Sequence, residues 1–236
     1  MRALPLLFIL AAASCALSPQ DTPRTTARQS GGYAVQLSSR LNAASQSDLN
    51  QQLTAAFTDG TAHPANVHNC LEMLALGARA AGSTADPDYL QQRATLVQCT
   101  ILQELRGATP ANASFVAALK WDESVLPLLP PQLAINVSDE SVRAAEAAAK
   151  VNKSWADADK TATASADGPD RIMVKGEGFI VRLILWGRGD LNGDGVQDLL
   201  VQTLDTLTEG TYRYTRLFIL TRKSADGKLS VIRQVL

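Results

Sequence analysis

The chain has 236 residues, 22 Lys+Arg against 23 Asp+Glu for a formal net charge of −1, and 46% hydrophobic but only 5% aromatic residues. With no basic stripe and no surplus of aromatics, nucleic-acid binding is disfavoured. No internal segment is long and apolar enough for a transmembrane helix. The length suffices for a proper core in one domain or two.

At the N-terminus, Arg2 precedes an apolar run over residues 4–13, then Ser14 and Cys15. A run this short reads as a secretory signal covering residues 1–14 rather than a membrane span. Residues 10–15, Leu-Ala-Ala-Ala-Ser-Cys, resemble the lipobox of bacterial lipoproteins, except that Ala12 stands where that family prefers leucine. The resemblance implies a lipid on Cys15 and, because Ala16 rather than aspartate follows, sorting to the outer membrane. Plain signal cleavage, giving a secreted or periplasmic chain, is the alternative. Losing Arg2 takes the 22 basic residues down by one against 23 acids, for a mature net charge of about −2. Residues 16–32 are polar and small, which suits a flexible tether.

Residues 33–165 read as a helical domain. Tyr33, Leu37 and Leu41 are spaced i, i+4, and Ser47-Asp48 reads as the cap of a short helix through Leu49, Leu53 and Phe57. A further helix runs over 64–81 from Pro64 to a stop at Gly82, with a stripe of Val67, Cys70, Leu71, Leu74 and Ala78. The next starts at Asp86-Pro87 and ends at Gly107, with Leu90, Ala94, Val97, Ile101 and Leu105 on one face. In an exported chain Cys70 and Cys99 are read as one disulfide, stapling these two helices. It closes a loop of about 30 residues, worth on the order of 3 kcal/mol. A short helix is expected over 112–121. Three prolines over 126–131 then forbid a continuous helix, and Ser138-Asp139-Glu140 caps an alanine-rich helix reaching Ala158 or beyond. The small, polar residues 161–169 mark a boundary.

Residues 166–236 read as an antiparallel β-sheet domain, so the fold class is α+β. β-rich runs cover 172–174, 179–186, 199–204, 212–221 and 229–235, joined by short turns, which implies a meander. Phe179, Val181, Leu183 and Leu185 alternate and should share a face.

Between the second and third of these runs lies the segment Asp190-Leu-Asn192-Gly-Asp194-Gly195-Val196-Gln-Asp198. Side-chain oxygens fall at its positions 1, 3, 5 and 9, with glycine at position 6. Hard cations require several oxygen ligands, and this spacing lets one short loop supply them. Residues 189–201 resemble the calcium loop of FG-GAP and VCBS repeats, whose core is shared by dockerins and EF-hands. The resemblance implies a Ca2+ site with side-chain ligands Asp190, Asn192, Asp194 and Asp198 and the backbone carbonyl of Val196. Val201 stands where an EF-hand places a bidentate glutamate, and the flanks read as strands, so a hairpin calcium loop is expected. The alternatives are an ion-free Asn-Gly/Asp-Gly turn and magnesium, which prefers fewer protein ligands.

Weaker signals surround this one. His63, His68 and Cys70 have a transition-metal spacing, but a disulfide at Cys70 removes the thiolate. Arg188-Gly-Asp190 spells an integrin triplet and reads as coincidence. Glu177 and Glu209 read as solvated turn residues or as extra calcium ligands. No nucleophile motif or zincin or phosphate-loop pattern occurs, so no catalytic residue and no enzyme is expected. The expected protein is a calcium-binding envelope lipoprotein that binds another protein, such as an inhibitor or immunity protein against a cell-wall hydrolase. In size, anchor and sheet it resembles some periplasmic lysozyme inhibitors and effector-immunity lipoproteins. The alternative is a structural envelope lipoprotein with no tight partner.

Overall fold

The computed structural model describes residues 32–41, 56–59, 67–77 and 89–236. The expectations for the signal at 1–14, for Cys15, for the tether as far as residue 31, for the cap at Ser47-Asp48 and for His63 lie outside the described residues. Gly31–Leu236 form one compact unit.

A meander organises this unit. Strands β4 (Thr163–Ala166), β5 (Arg171–Gly176), β6 (Phe179–Gly189), β7 (Asp198–Leu207), β8 (Arg213–Thr221) and β9 (Ser230–Gln234) pair in chain order, every neighbour antiparallel. A seventh strand, β1 (Gln36–Leu37), joins β6 beyond the end of β5, opposite Arg188 and Gly187. Each anticipated strand is present. The turns are the anticipated ones too, with Gly178 at φ 76° in the left-handed region that admits glycine most easily. β2 (Ala56–Asp59) and β3 (Val67–Asn69) form a separate antiparallel pair.

Both faces of the sheet centre are covered. On one face Leu200, Leu217 and Ile219 pack with Leu96, Ile101 and Leu105 of helix α2 (Tyr89–Gly107). Helix α1 (Cys70–Leu76) closes that layer, and a disulfide joins Cys70 to Cys99. On the other face Val181, Leu183, Leu185, Val201, Phe218 and Leu220 meet Val125, Leu129, Leu133 and Trp155. Phe179 packs against this second cluster, so the four alternating residues do share a face. Leu199-Leu-Val201 and Leu217-Phe-Ile-Leu220 are continuous apolar runs for this reason: both sides of each strand are dry.

The helical half differs from the expectation in several places. Tyr33 and Gln36–Leu37 are extended, and only Ser39–Leu41 forms a 3-10 turn, because Ala111 and β6 respectively offer the backbone partners. Phe57 lies in β2, not in a helix. The helix expected over 64–81 is confined, among the described residues, to α1, because Asn69 caps it by accepting the Glu72 N–H at 3.0 Å. Residues 112–121 make no helix. The Ser114 hydroxyl takes the N–H groups of Val116 and Ala117, so a side-chain turn replaces the helical bonds. Helix α3 (Asp139–Lys150) stops short of Ala158, since Asn152 enters the left-handed region at φ 56°. Ser154 then caps a new single turn, α4 (Trp155–Ala158). The stretch 161–169 contains edge strand β4. The prolines over 126–131 do interrupt the chain, which forms 3-10 turns at Glu123–Leu128 and Pro131–Leu133.

Candidate metal centre

The acidic segment links β6 to β7, so two paired strands fix its ends: Gly189 lies opposite Asp198. Within it, carboxylate oxygens of Asp190, Asp194 and Asp198 lie within 4.8 Å of one another. Asp190 and Asp198 are buried and Asp194 is exposed, so the cluster opens to solvent on one side only.

Short-range bonds build this convergence. Asp190 Oδ1 accepts the N–H groups of Gly193 at 2.7 Å and Asn192 at 3.3 Å, and its Oδ2 accepts that of Gly195 at 2.8 Å. The loop is thereby wrapped around one carboxylate. Asn192 Oδ1 takes the Asp194 N–H at 2.9 Å, and Asp194 Oδ1 takes the Val196 N–H at 2.8 Å, so each polar side chain turns back on the backbone two residues on. Asn192 Nδ2 donates to Asp194 Oδ2 at 3.0 Å. Gly193 and Gly195 have φ of 82° and 80°, a path that a Cβ would strain. Val196, anticipated as a carbonyl ligand, bridges Ala113 in parallel fashion.

Asp198 is the electrostatic key. It is fully buried; its Oδ2 accepts the Leu191 N–H at 3.2 Å, while no donor meets Oδ1 in good hydrogen-bond geometry. Burial pushes its carboxyl up to about 6, and the charges of Asp194 and Asp190 push the same way. The Thr221 hydroxyl and the Leu191 N–H oppose that rise. Three carboxylates this close, one of them desolvated, repel each other unless a proton or a cation intervenes. The donor set is all oxygen, which suits a hard divalent ion and not a soft one.

The sequence did not reveal what holds the loop from outside. Thr109 and Asp190 exchange both backbone bonds, at 3.0 and 2.9 Å. Gly195 O accepts from Asn112 and Ala113, and Gln197 N donates to Ala113 O. Ala111 in turn exchanges backbone bonds with Tyr33. Gln197 is fully buried and ties the two segments by accepting the Ser114 hydroxyl at 2.8 Å and donating to Ala34 O at 3.4 Å. Residues 109–114 carry no acidic ligand, so only tertiary structure could associate them with the site.

The weaker candidates resolve as follows. Cys70 is bonded to Cys99, which removes it from any metal site with His68. Arg188 donates to the carbonyls of Val116, Ala117 and Leu119 at 2.9–3.2 Å and Asp190 is buried, so the Arg-Gly-Asp triplet is structural. Glu177 and Glu209 sit in the turns at the opposite end of β6 and β7 from the loop, which excludes them as ligands of the same ion. No helix among the described residues is long and apolar enough to cross a membrane. Comparison with protein-family models, with curated proteins and with solved structures finds no match.

Proposed function

We propose that the protein is a calcium-binding envelope lipoprotein, anchored to the outer membrane through Cys15, whose ion-stabilised sheet serves as a protein-binding module. The observation that carries the ion is the fully buried carboxylate of Asp198, with an oxygen within 4.8 Å of those of two further carboxylates. Calcium fits better than magnesium, because a loop of four side-chain oxygens and a carbonyl supplies more protein ligands than magnesium usually accepts. The ion is structural: it closes a hairpin whose ends are already fixed by β6 and β7.

The binding role rests on the address implied by residues 10–15 and on exposed apolar surface. Val137, Val142 and Val151 are exposed on and around α3, and no residue of α3 is buried. A cell-wall hydrolase is the partner class we infer, with this protein acting as its inhibitor or immunity factor. Affinity capture from envelope extract, run once with calcium and once with chelator, tests the reading. A hydrolase retained in calcium and inhibited by the protein in excess supports it. An empty column under both conditions, with hydrolases fully active, replaces it with a structural lipoprotein lacking a tight partner.

A further inference from the structure

A cavity of about 380 Å3 opens over the end of β7 remote from the acidic loop. Its floor is Leu204 and Thr206 of β7 and Thr215 of β8, which continue the face of Leu200 and Leu217 at period two. Helix α2 covers that face further along the strands and brings Arg93 to the cavity wall. Arg182 and Arg213 enter from β6 and β8. Three arginines thus line one small space.

Their charge is poorly compensated. The one acid among the lining residues, Asp205, gives its carboxylate to Arg216 at 2.7 Å. Arg182 reaches Asp167 at 3.5 Å, with both side chains partly exposed, a pairing of little strength in water. Arg213 is exposed, and among the described residues no carboxylate pairs with it or with Arg93. Arg93 is positioned all the same. One Nη donates to Thr215 O at 3.1 Å, and the guanidinium lies 5.0 Å from the centre of the Tyr214 ring. Its Nε–H is buried with no acceptor.

We propose that this cavity binds a small organic anion, with a carboxylate or phosphate group between Arg93 and Arg213 and an apolar body against Leu204 and Tyr214. A guanidinium matches the planar fork of either oxyanion with paired N–H donors. The volume is at the small end of ligand pockets, which favours a compact molecule over a peptide segment. The site is independent of the metal loop and of any protein partner.

The test is an NMR titration of the isotope-labelled full chain, following the arginine Nε–H signals. The probes are phenyl phosphate and benzoate, with phenol as the uncharged control. Phenyl phosphate or benzoate is expected to shift the Arg93 Nε–H signal saturably while phenol does not. Arg93→Gln and Arg213→Gln should each weaken that binding about tenfold, the loss of one charge-assisted contact. Because Arg213 is exposed, Arg213→Gln keeps the test decisive even if Arg93→Gln fails to fold. No saturable shift by either anion, equal binding of phenol, or undiminished affinity in Arg213→Gln would overturn the proposal.

Discussion

Arg216 grips Asp205 with Nε at 2.8 Å and Nη2 at 2.7 Å, and both side chains are buried. Its two Nη groups also reach the carbonyls of Gln132, Leu133 and Ala134, so one guanidinium pins the Pro131–Leu133 turn to β8. Asp205→Ala leaves that charge buried and unpaired, which should lower unfolding stability by about 3–5 kcal/mol in a urea titration. Replacing both partners with apolar residues of similar volume should cost less than the single change, because the desolvation penalty goes with the charges.

In the acidic loop Asp190 and Asp194 do different work, and the variants should separate them. Asp190 receives three backbone N–H groups of the loop, whereas Asp194 is exposed and receives one backbone N–H and the Asn192 side-chain amide. Asp190→Ala should therefore destabilise the protein by about 2–3 kcal/mol even in chelator. Asp194→Ala should cost less than about 1 kcal/mol in chelator and should abolish the stabilisation by calcium. For the unaltered chain, calcium at one hundred times Kd should add about 2.7 kcal/mol. For a chain of this size that is a Tm rise of roughly 5–10 °C, measurable by calorimetry. An equal Tm with calcium and with chelator would remove the ion from the proposed function.

The pH dependence follows from Asp198, whose carboxyl is raised from 3.8 to about 6 by burial and by its two acidic neighbours. A raised folded pKa means the fold prefers the protonated group. Without metal, that contribution is complete below about pH 4 and is lost as pH rises through about 6. A cation prefers the charged group, so protons compete with it. The Tm difference between calcium and chelator should accordingly be small at pH 5 and grow as pH rises past 6. Asp198→Asn should flatten this profile.

The sheet was largely legible because its signals are local. Apolar runs such as Leu217-Phe-Ile-Leu220 and glycine at Gly178 and Gly210 mark strands and turns within a few residues. The disulfide followed from counting cysteines, and the acidic loop from spacing alone. What the sequence concealed depends on distant partners. Tyr33, Leu37 and Leu41 fit a helical period, but Gln36–Leu37 pairs with Gly187 and Arg188 far along the chain. β4 is Thr-Ala-Ser-Ala, too small and polar to read as a strand, and it exists because β5 offers it an edge. Thr109 and Gln197 brace the acidic loop through backbone and amide bonds that leave no compositional trace. The three arginines of the cavity come from α2, β6 and β8, and no linear motif joins them.

Gly187 is the place where three of these elements meet. It lies beside the irregularity in β6, opposite Leu37 of β1, with Leu105 of α2 packed over it. A Cβ there would stand 2.5 Å from a Leu105 methyl and 2.9 Å from Gln36 O. Leu105 is fully buried and Gln36 O belongs to the backbone, so neither can yield cheaply. Gly187→Ala should destabilise by about 1–3 kcal/mol, the cost of overpacking. Gly107, at the end of α2, has nothing within 4 Å of its added Cβ. Gly107→Ala should be neutral or stabilising by up to about 1 kcal/mol, since it restricts the unfolded chain without a clash. Parallel urea titrations of the two variants compare one substitution in two surroundings. Equal effects would mean that backbone freedom, and not the close approach of α2 and β1, dictates glycine at position 187.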